Sequence, residues 1–471
     1  MNIKKALLIN PPTGLYIRDD RCQGPAKWVS ILRMPLDLAT MAASLRQADV
    51  ECKLMDYPAE QQTWGNFKND LVEFKPDMLV ISITTPTIKD DLKACKIAKE
   101  MNPKIVTVAK GAHVTVEDEK IMKEFPELDI AIRKESEMAV KEIATNPLSE
   151  IKGITYRMNG SLIRNEERPF LKNLDELPFP ARDLVNNKLY TRPDTGEPQT
   201  TIQSQRGCPA RCIFCLVGAV SGYNINFRSP ESVVEEIEEC VNKYKIRNFY
   251  FRADTFTWDK EWVIKVCKLI IDKKLDIGWN CNSRVSTLDD ERLQWMKKAG
   301  CWMIGFGIET GSNESLRKMK KGTTVEQAVE AIKLCKKHKI KSYLFFVIGL
   351  PWEKKEDVEK SIEFAKKLKG DFTEFNMAFP YPGTEFYQMG IEQGLFTEAD
   401  IYSGADQHKS GLRTVYLSNE ELDNLRKKGE KSILLSPSYI LSTLTQIRSP
   451  KVFLNYVKYG SRLVADMIRN K

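Results

Sequence analysis

The stretch Arg206-Gly207-Cys208-Pro209-Ala210-Arg211-Cys212-Ile213-Phe214-Cys215 sets three thiols within eight positions, directly after a strand-like run at Thr201 to Gln205. Three thiolates separated by three and then two residues, in a loop that leaves a strand, can fold onto three corners of one metal cluster. A structural zinc site normally takes four ligands in two pairs. No further Cys or His follows closely, since Cys240 lies 25 positions after Cys215 in a stretch with helical spacing. A [4Fe–4S] cluster is usually held by four thiolates. Three leave one iron open, and an open iron is where a substrate or cofactor binds.

The rest of the composition narrows the chemistry. The chain of 471 residues has eleven cysteines, and the other eight (Cys22, Cys52, Cys95, Cys240, Cys267, Cys281, Cys301 and Cys335) are scattered singly. Each reads as a small buried apolar residue in a reducing compartment. With only three histidines, His113, His338 and His408, a site built on several imidazoles is excluded. The net charge of +8 is spread without a basic block, which permits anionic partners or a membrane surface but does not call for nucleic acid. No apolar run reaches the roughly 18 residues of a membrane span, and the first residues do not read as a signal peptide. The expected location is cytoplasmic.

Working outward from the thiols, the chain divides into four parts. Residues 1–148 alternate strands (Lys5 to Asn10, Cys52 to Asp56, Asp77 to Thr84, Ile105 to Ala109, Asp129 to Ile132) with helices such as Pro35 to Leu45 and Asp90 to Met101. Near-continuous apolar strands separated by helices predict a parallel doubly wound sheet whose ligand sits beyond the strands' carboxyl ends. Residues 149–199 hold a hairpin turning at Asn159-Gly160 and a Pro-rich connector, Leu177-Pro178-Phe179-Pro180. Residues 200–385 carry six further strands: Thr201 to Gln205, Asn248 to Ala253, Ile277 to Ser283, Trp302 to Ile308, Lys341 to Ile348 and Glu374 to Phe379. Helices lie between them, so this part predicts a barrel or partial barrel with its chemistry at the carboxyl-end face. Residues 386–471 turn helical and basic, with Tyr439, Ile440, Leu441, Phe453, Tyr456 and Tyr459 among Arg448, Lys451, Lys458 and Arg462. Such amphipathic helices either pack on the barrel or meet a membrane or lipid surface.

The Cys-x3-Cys-x2-Cys spacing of Cys208, Cys212 and Cys215 resembles that of the radical S-adenosylmethionine (SAM) superfamily, and Phe214 fits the aromatic that lies beside the adenine there. The resemblance covers the whole barrel. It implies that SAM chelates the open iron and is cleaved to a 5′-deoxyadenosyl radical that abstracts hydrogen from a substrate. It further implies roles at the other strand ends: Asp254 for SAM's amino group, Arg284 for its carboxylate, Glu309 for the ribose hydroxyls, and the backbone of Ile348 and Gly349 for adenine. Each of these, taken alone, also reads as an exposed loop residue.

A Rossmann-like domain, a Pro-rich connector and then such a barrel resembles the cobalamin-binding-domain (B12-dependent) subclass. Asn10-Pro11-Pro12 looks like that subclass's opening motif, and Leu54-Met55-Asp56 closes the second strand much as the family does. By position, the resemblance assigns cobalamin contacts to Pro12, Thr13, Ser82, Thr84, Thr85, Gly111, His113 and Glu135. The chain departs from the family at two places: Lys110-Gly111-Ala112-His113 stands for Gly-Gly-x-His, and Lys134-Glu135-Ser136-Glu137 for Gly-Glu-Gly-Glu. An Asp-x-His-x-x-Gly sequence is absent, so no histidine ligand to cobalt is expected. The polar loop Gly14 to Gln23 would either line the cavity beyond the first strand or lie in solvent.

The fold class expected is therefore α/β: a Rossmann-like cobalamin-binding-type domain, a partial (β/α)6 radical SAM barrel and a helical carboxyl-terminal region. The resemblance implies a radical SAM enzyme with one [4Fe–4S] cluster, SAM and cobalamin. It would methylate an unactivated carbon of a small hydrophobic, lipid- or isoprenoid-like substrate and draw electrons from a flavodoxin- or ferredoxin-type donor. Two alternatives stand beside it: radical coupling, cyclisation or rearrangement without cobalamin, and a non-catalytic iron–sulfur or corrinoid sensor. Peripheral membrane contact is expected only through the carboxyl-terminal region, and no nucleic-acid partner is expected. For a general base the residues at hand are Tyr381 and Glu385 at the sixth strand's end.

Overall fold

The computed structural model describes residues 3–18, 23–24, 32–192, 194–401, 413–437, 439–441 and 452–454. Cys22, His408 and most of the basic aromatic segment beyond residue 441 lie outside the described residues.

The front sheet is built from β1 (Lys5–Asn10), β2 (Glu51–Asp56), β3 (Met78–Ser82), β4 (Val106–Lys110), β5 (Ile130–Ile132), β6 (Ile154–Met158) and β7 (Ser161–Arg164). Its order is β2-β1-β3-β4-β5-β6-β7, parallel through β5 and antiparallel from there. The alternation of side chains along a strand explains why β1 is apolar throughout. Ala6 and Leu8 pack under the helices Leu36–Arg46 and Glu137–Thr145, whereas Leu7 and Ile9 pack under Trp64–Phe74, Lys93–Met101 and Ala112–Glu124. The five parallel strands match the sequence reading to within a residue or two. The hairpin does not stay in the connector: β6 pairs antiparallel to β5, so the sheet runs on to Arg164. Asn159 and Gly160 turn it with positive φ, as expected of such a pair.

The barrel strands are β8 (Gln199–Gln203), β11 (Asn248–Arg252), β12 (Gly278–Ser283), β13 (Cys301–Glu309), β14 (Lys341–Ile348) and β15 (Phe372–Met377). They pair in parallel in the order β15-β14-β13-β12-β11-β8. The short strands β9 (Gln205–Arg206) and β10 (Asn226–Phe227) form an antiparallel pair that fixes both ends of the thiol-bearing loop. Phe249, Phe251, Trp279, Cys281, Phe306, Leu344, Phe346 and Phe375 fill the layer between strands and outer helices. By the same alternation, Tyr250, Arg252, Asn280, Asn282, Tyr343 and Phe345 face the lumen.

The connector is strapped to both domains. Ala181 N donates to Ala39 O, Tyr190 Oη donates to Asp56 Oδ2 at 2.8 Å, and the buried Arg182 and Arg228 share Glu236. Across the domain boundary, Ala112 of the front helix packs with Leu216, Val220, Phe379 and Tyr381 of the barrel face, with Val116 beside them. In the carboxyl-terminal region the helices Glu385–Glu392, Glu398–Ile401 and Asn419–Leu434 are described; the last lies against β15 and the helix Lys355–Leu368.

Candidate functional site

Of the described cysteines only Cys208, Cys212 and Cys215 are partly exposed; the other seven are buried. Burial pushes the Cys52 and Cys240 thiols up to about 12, which keeps them neutral and disqualifies them as ligands at ordinary pH. The thiol loop is tightly built. Gly207 has φ +93, and a Cβ there would collide with the Asn224 carbonyl, so only glycine fits. Gly207 N donates to Asp254 Oδ2 at 2.6 Å, Cys208 N to Gly222 O, Cys215 N to Cys212 O, and Ile213 N to Met319 O. Among the described residues no set of Cys, His, Asp or Glu converges on a single metal ion. A cubane cluster holds its thiolates further apart than one ion does, so this donor set, three accessible thiols on one short loop, fits a [4Fe–4S] cluster.

The residues assigned to SAM gather around that loop. Phe214 sits against a cluster containing Ile213, Met319 and Leu350, which brings it beside the turn after Ile348. Ile348 itself points into the outer core. Gly349 (φ +89) and Leu350 both donate backbone N–H to Glu353 Oε2, at 2.7 and 3.0 Å. Glu353 is fully buried, and burial raises its carboxyl to about 7. Asp254 is held to the thiol loop through Gly207 N. Arg284, at the end of β12, donates Nη2 to the Lys321 carbonyl. Glu309, at the end of β13, is buried with φ +65 and is ion-paired with Lys321. Lys321 escaped the sequence reading because it lies in the run Arg317 to Lys321, where nothing marks which cation turns inward.

The carboxyl ends of the front strands face this centre. Thr13 Oγ1 donates to Asp91 Oδ1 at 2.6 Å, and Arg18 reaches Ser82 O, Thr13 and Asp91. Thr84 N and Thr87 Oγ1 also donate to Asp91 Oδ2, while Thr84 and Thr87 share a hydroxyl contact at 2.6 Å. Thr85 N donates to Gln23 Oε1, and Gln23 contacts the Tyr381 hydroxyl from the barrel. His113, buried, meets Thr85 Oγ1 through Nδ1 at 3.2 Å, and burial lowers its imidazole to about 3, so it is neutral. Gly111 (φ +145) begins the helix at the end of β4, and a Cβ there would stand 2.5 Å from Ile83 O. Pro12 is half-buried on the same edge. A narrow cleft of about 60 Å³ lies between the two domains, with Asn10, Asp56, Ser82, Tyr250 and Arg252 among its walls. Neutral hydroxyls and a glycine turn at the carboxyl edge of a parallel sheet are the groups a hydrogen-bond-rich ligand such as a corrin would meet there.

Glu135 is engaged elsewhere: Oε2 accepts from Leu171 N at 2.7 Å and Oε1 from Arg206 Nη1 at 3.1 Å. Glu137 takes the other side of Arg206, with Oε1 2.5 Å from Nη2. Burial opposes the charge of Arg206, but Glu137 and Glu135 more than offset it. A second bridge joins Lys110 at the end of β4 to Asp37, and Asp37 Oδ1 to Arg252 Nη1 at 2.5 Å. Burial alone would raise the Asp37 carboxyl; Arg252 and Lys110 hold it well below the usual carboxylate range. The two departures from the expected glycine motifs thus help join the front domain to the barrel, Glu135 and Glu137 directly to Arg206 and Lys110 through Asp37 to Arg252. Lys134 keeps the left-handed backbone of the glycine it replaces, at φ +62.

With this geometry in place, the likenesses to known proteins are specific. Residues 202–365 match the model of the radical SAM superfamily and residues 34–144 that of the B12 binding domain. An uncharacterized methyltransferase of Pyrococcus horikoshii is 32% identical over 94% of this chain and 95% of its own. The cytidylyl-2-hydroxyethylphosphonate methyltransferase of Streptomyces wedmorensis is 26% identical over 90% of this chain and 89% of its own. Among solved structures, the cobalamin-dependent SAM radical enzyme OxsB superposes with a TM-score of 0.72 at 16% identity, covering 99% of this chain and 71% of that one. The radical SAM methyltransferase TsrM of Kitasatospora setae reaches 0.68 at 16% identity, over 83% of this chain and 77% of its own, and shares the fold.

Proposed function

The chain belongs to the radical SAM superfamily, in the branch with an amino-terminal B12-binding domain, and from that premise we propose that it transfers a methyl group to an unactivated carbon of a hydrophobic substrate. It is an enzyme whose cofactors are a [4Fe–4S] cluster, SAM and cobalamin. When bound, these supply a 5′-deoxyadenosyl radical and a transferable methyl group.

The observation that carries the methyl-transfer reading is that the carboxyl edge of the front sheet meets the barrel beside the thiol loop, Glu135 and Glu137 holding Arg206 and Ala112 packing on Leu216 and Val220. Cys208, Cys212 and Cys215 would hold the cluster. Asp254 would orient SAM's amino group from the position where it already fixes Gly207. Arg284 would meet the SAM carboxylate, and Glu309, held by Lys321, the ribose. Phe214 and the turn at Ile348 and Gly349 would enclose the adenine. On the front edge, Pro12, Thr13, Ser82, Thr84, Thr85, Gly111 and His113 would surround the corrin, Glu135 contributing through its neighbours' placement. The Tyr381 hydroxyl stands on that boundary as well, bound to Gln23.

The hydrophobic substrate rests on the carboxyl-terminal composition and on a hopanoid C-3 methylase of Methylococcus capsulatus, 24% identical over 76% of this chain. Among described residues no helix is long and apolar enough to cross a membrane, and exposed Leu435, Ile440, Leu441, Phe453 and Leu454 support a peripheral contact. A flavodoxin- or ferredoxin-type donor in the cytoplasm would supply the electrons. A second reading, radical cyclisation, is favoured by anaerobic magnesium-protoporphyrin IX monomethyl ester cyclases, one of which (Rubrivivax gelatinosus) is 28% identical over 68% of this chain and 60% of its own.

The test uses reduced, cobalamin-loaded enzyme, SAM with a deuterated methyl group, and an extract of cells lacking the protein. The label should enter the organic phase. Label confined to the aqueous phase would overturn the hydrophobic substrate. Formation of 5′-deoxyadenosine without any methyl incorporation would favour cyclisation.

A further inference from the structure

The backbone between Arg206 and Cys208 has no slack. Arg206 lies in the β9–β10 pair, Gly207 admits no side chain, and Gly207 N is held by Asp254. Whatever grips the Arg206 guanidinium therefore grips the cluster loop. The groups that do so, Glu135 and Glu137, stand just beyond the carboxyl end of β5, with side chains only 10% and 3% exposed. The second bridge has the same form. Lys110 ends β4, Arg252 ends β11 two residues before Asp254, and Asp37 in the first turn of the helix Leu36–Arg46 joins them. Each bridge thus runs from the front sheet's carboxyl edge to one of the two segments that meet at the Gly207–Asp254 hydrogen bond. Buried, multiply hydrogen-bonded ion pairs add little net stability over an apolar contact of the same volume, but they fix geometry. An apolar contact alone, such as that of Ala112 with Phe379 and Tyr381, permits sliding that a bidentate guanidinium pair does not.

We infer that Glu137–Arg206 and Lys110–Asp37–Arg252 are struts that set the separation between the cobalamin edge and the iron–sulfur loop, making Glu137 and Asp37 positioning residues for the reaction. The inference rests on the reading that the front domain carries cobalamin. Glu137 stands outside the cleft walls and Asp37 is one of them; both isosteric changes, Glu137→Gln and Asp37→Asn, keep the side-chain shape, and the comparison is made on protein matched for iron and cobalt content.

The readout is the dipolar distance between reduced cluster and Co(II) by pulsed electron paramagnetic resonance, in the full chain loaded with both. Wild type gives one narrow distance distribution. Each variant, at wild-type iron and cobalt content, gives a broadened or displaced one, and the double variant a broader one still. Distributions as narrow as wild type, at the same mean, would overturn the struts even if the variants melt earlier, since a purely stabilising pair shifts the melting point alone. If wild type retains no cobalt, the cobalamin reading itself fails. The struts are then judged by nitroxide pairs on Glu73→Cys and Lys333→Cys, both exposed, with the cluster assembled. An unchanged label distribution in Glu137→Gln and Asp37→Asn would overturn them there too.

Discussion

Glu309 combines three features that seldom coincide in a structural residue: a left-handed backbone, a buried carboxylate and a buried cationic partner. A non-glycine residue in that backbone region costs on the order of 1–3 kcal/mol, and such strain gathers where geometry matters to function. Glu309→Ala is expected to weaken SAM binding, measured by equilibrium dialysis, while iron content stays at the wild-type level; loss of the cluster would make Glu309 structural instead. Changing Cys208, Cys212 and Cys215 together to Ala should abolish both the visible iron–sulfur absorbance and SAM cleavage, and survival of either would contradict the ligand assignment. Glu353 gives a pH test. Its folded carboxyl is raised by burial from 4.5 to about 7, so the folded chain binds the proton more tightly than the unfolded one. That stability is complete below pH 4.5 and is lost as pH rises through 7, on the order of 3 kcal/mol in all. Glu353→Gln keeps an acceptor for Gly349 and Leu350 and should flatten this slope in urea titrations at pH 5 to 8. An unchanged slope would show that another group carries it. At this scale the thiol trio stands out in the sequence because its spacing is compact, whereas Phe214 is marked only by the family resemblance. Lys321 was not, because one inward cation in a basic run has no local signature.

Elements were legible where the apolar run is long and boundary residues are distinctive. All six barrel strands fall within two residues of where the pattern put them, and the helix Pro230–Tyr244 between the first two is started by Ser229 capping Ser232 N. The hairpin was read correctly as a hairpin but assigned to the connector, because sequence marks a turn without saying which sheet its strands join. The connector's hold on the barrel was invisible for the same reason: it depends on Arg182 and Arg228 meeting Glu236 from positions far apart in the chain. Burial alone would raise Glu236, yet the two arginines hold its carboxyl below the usual range. Glu236→Ala leaves two buried guanidinium groups without their anion and is expected to destabilise the fold by roughly 3–5 kcal/mol in chemical denaturation. A loss below about 1 kcal/mol would mean water replaces the carboxylate. In the thiol loop, Gly207→Ala forces a Cβ into the Asn224 carbonyl at a backbone angle only glycine takes readily. The expected outcome is a folded protein that assembles little iron, read by iron analysis against far-ultraviolet circular dichroism. Full iron content would show that the loop can re-form around the added methyl.

For the whole molecule, the two departures from the family's glycine motifs, Lys110 and the segment 134–137, matter through their partners. Folded, Glu135 and Glu137 cross to Arg206 of the barrel and Lys110 holds Asp37, which crosses to Arg252, while Lys134 and Gly111 keep positive φ. Interdomain pairing is the part of the fold least accessible from sequence, since Glu137 and Arg206 are 69 positions apart and periodicity carries no memory over that span. The domain order and the cofactor set were accessible because each rests on a compact local pattern. If one chain holds cluster and cobalamin at a single domain boundary, metal content measures it directly. Protein purified anaerobically from cells supplied with hydroxocobalamin, and reconstituted with iron and sulfide, is analysed for cobalt and iron per chain beside its visible spectrum. Cobalt at parity with the chain is expected, in a spectrum lacking a histidine-ligated form, together with a full cluster. A full cluster with no cobalt would contradict it.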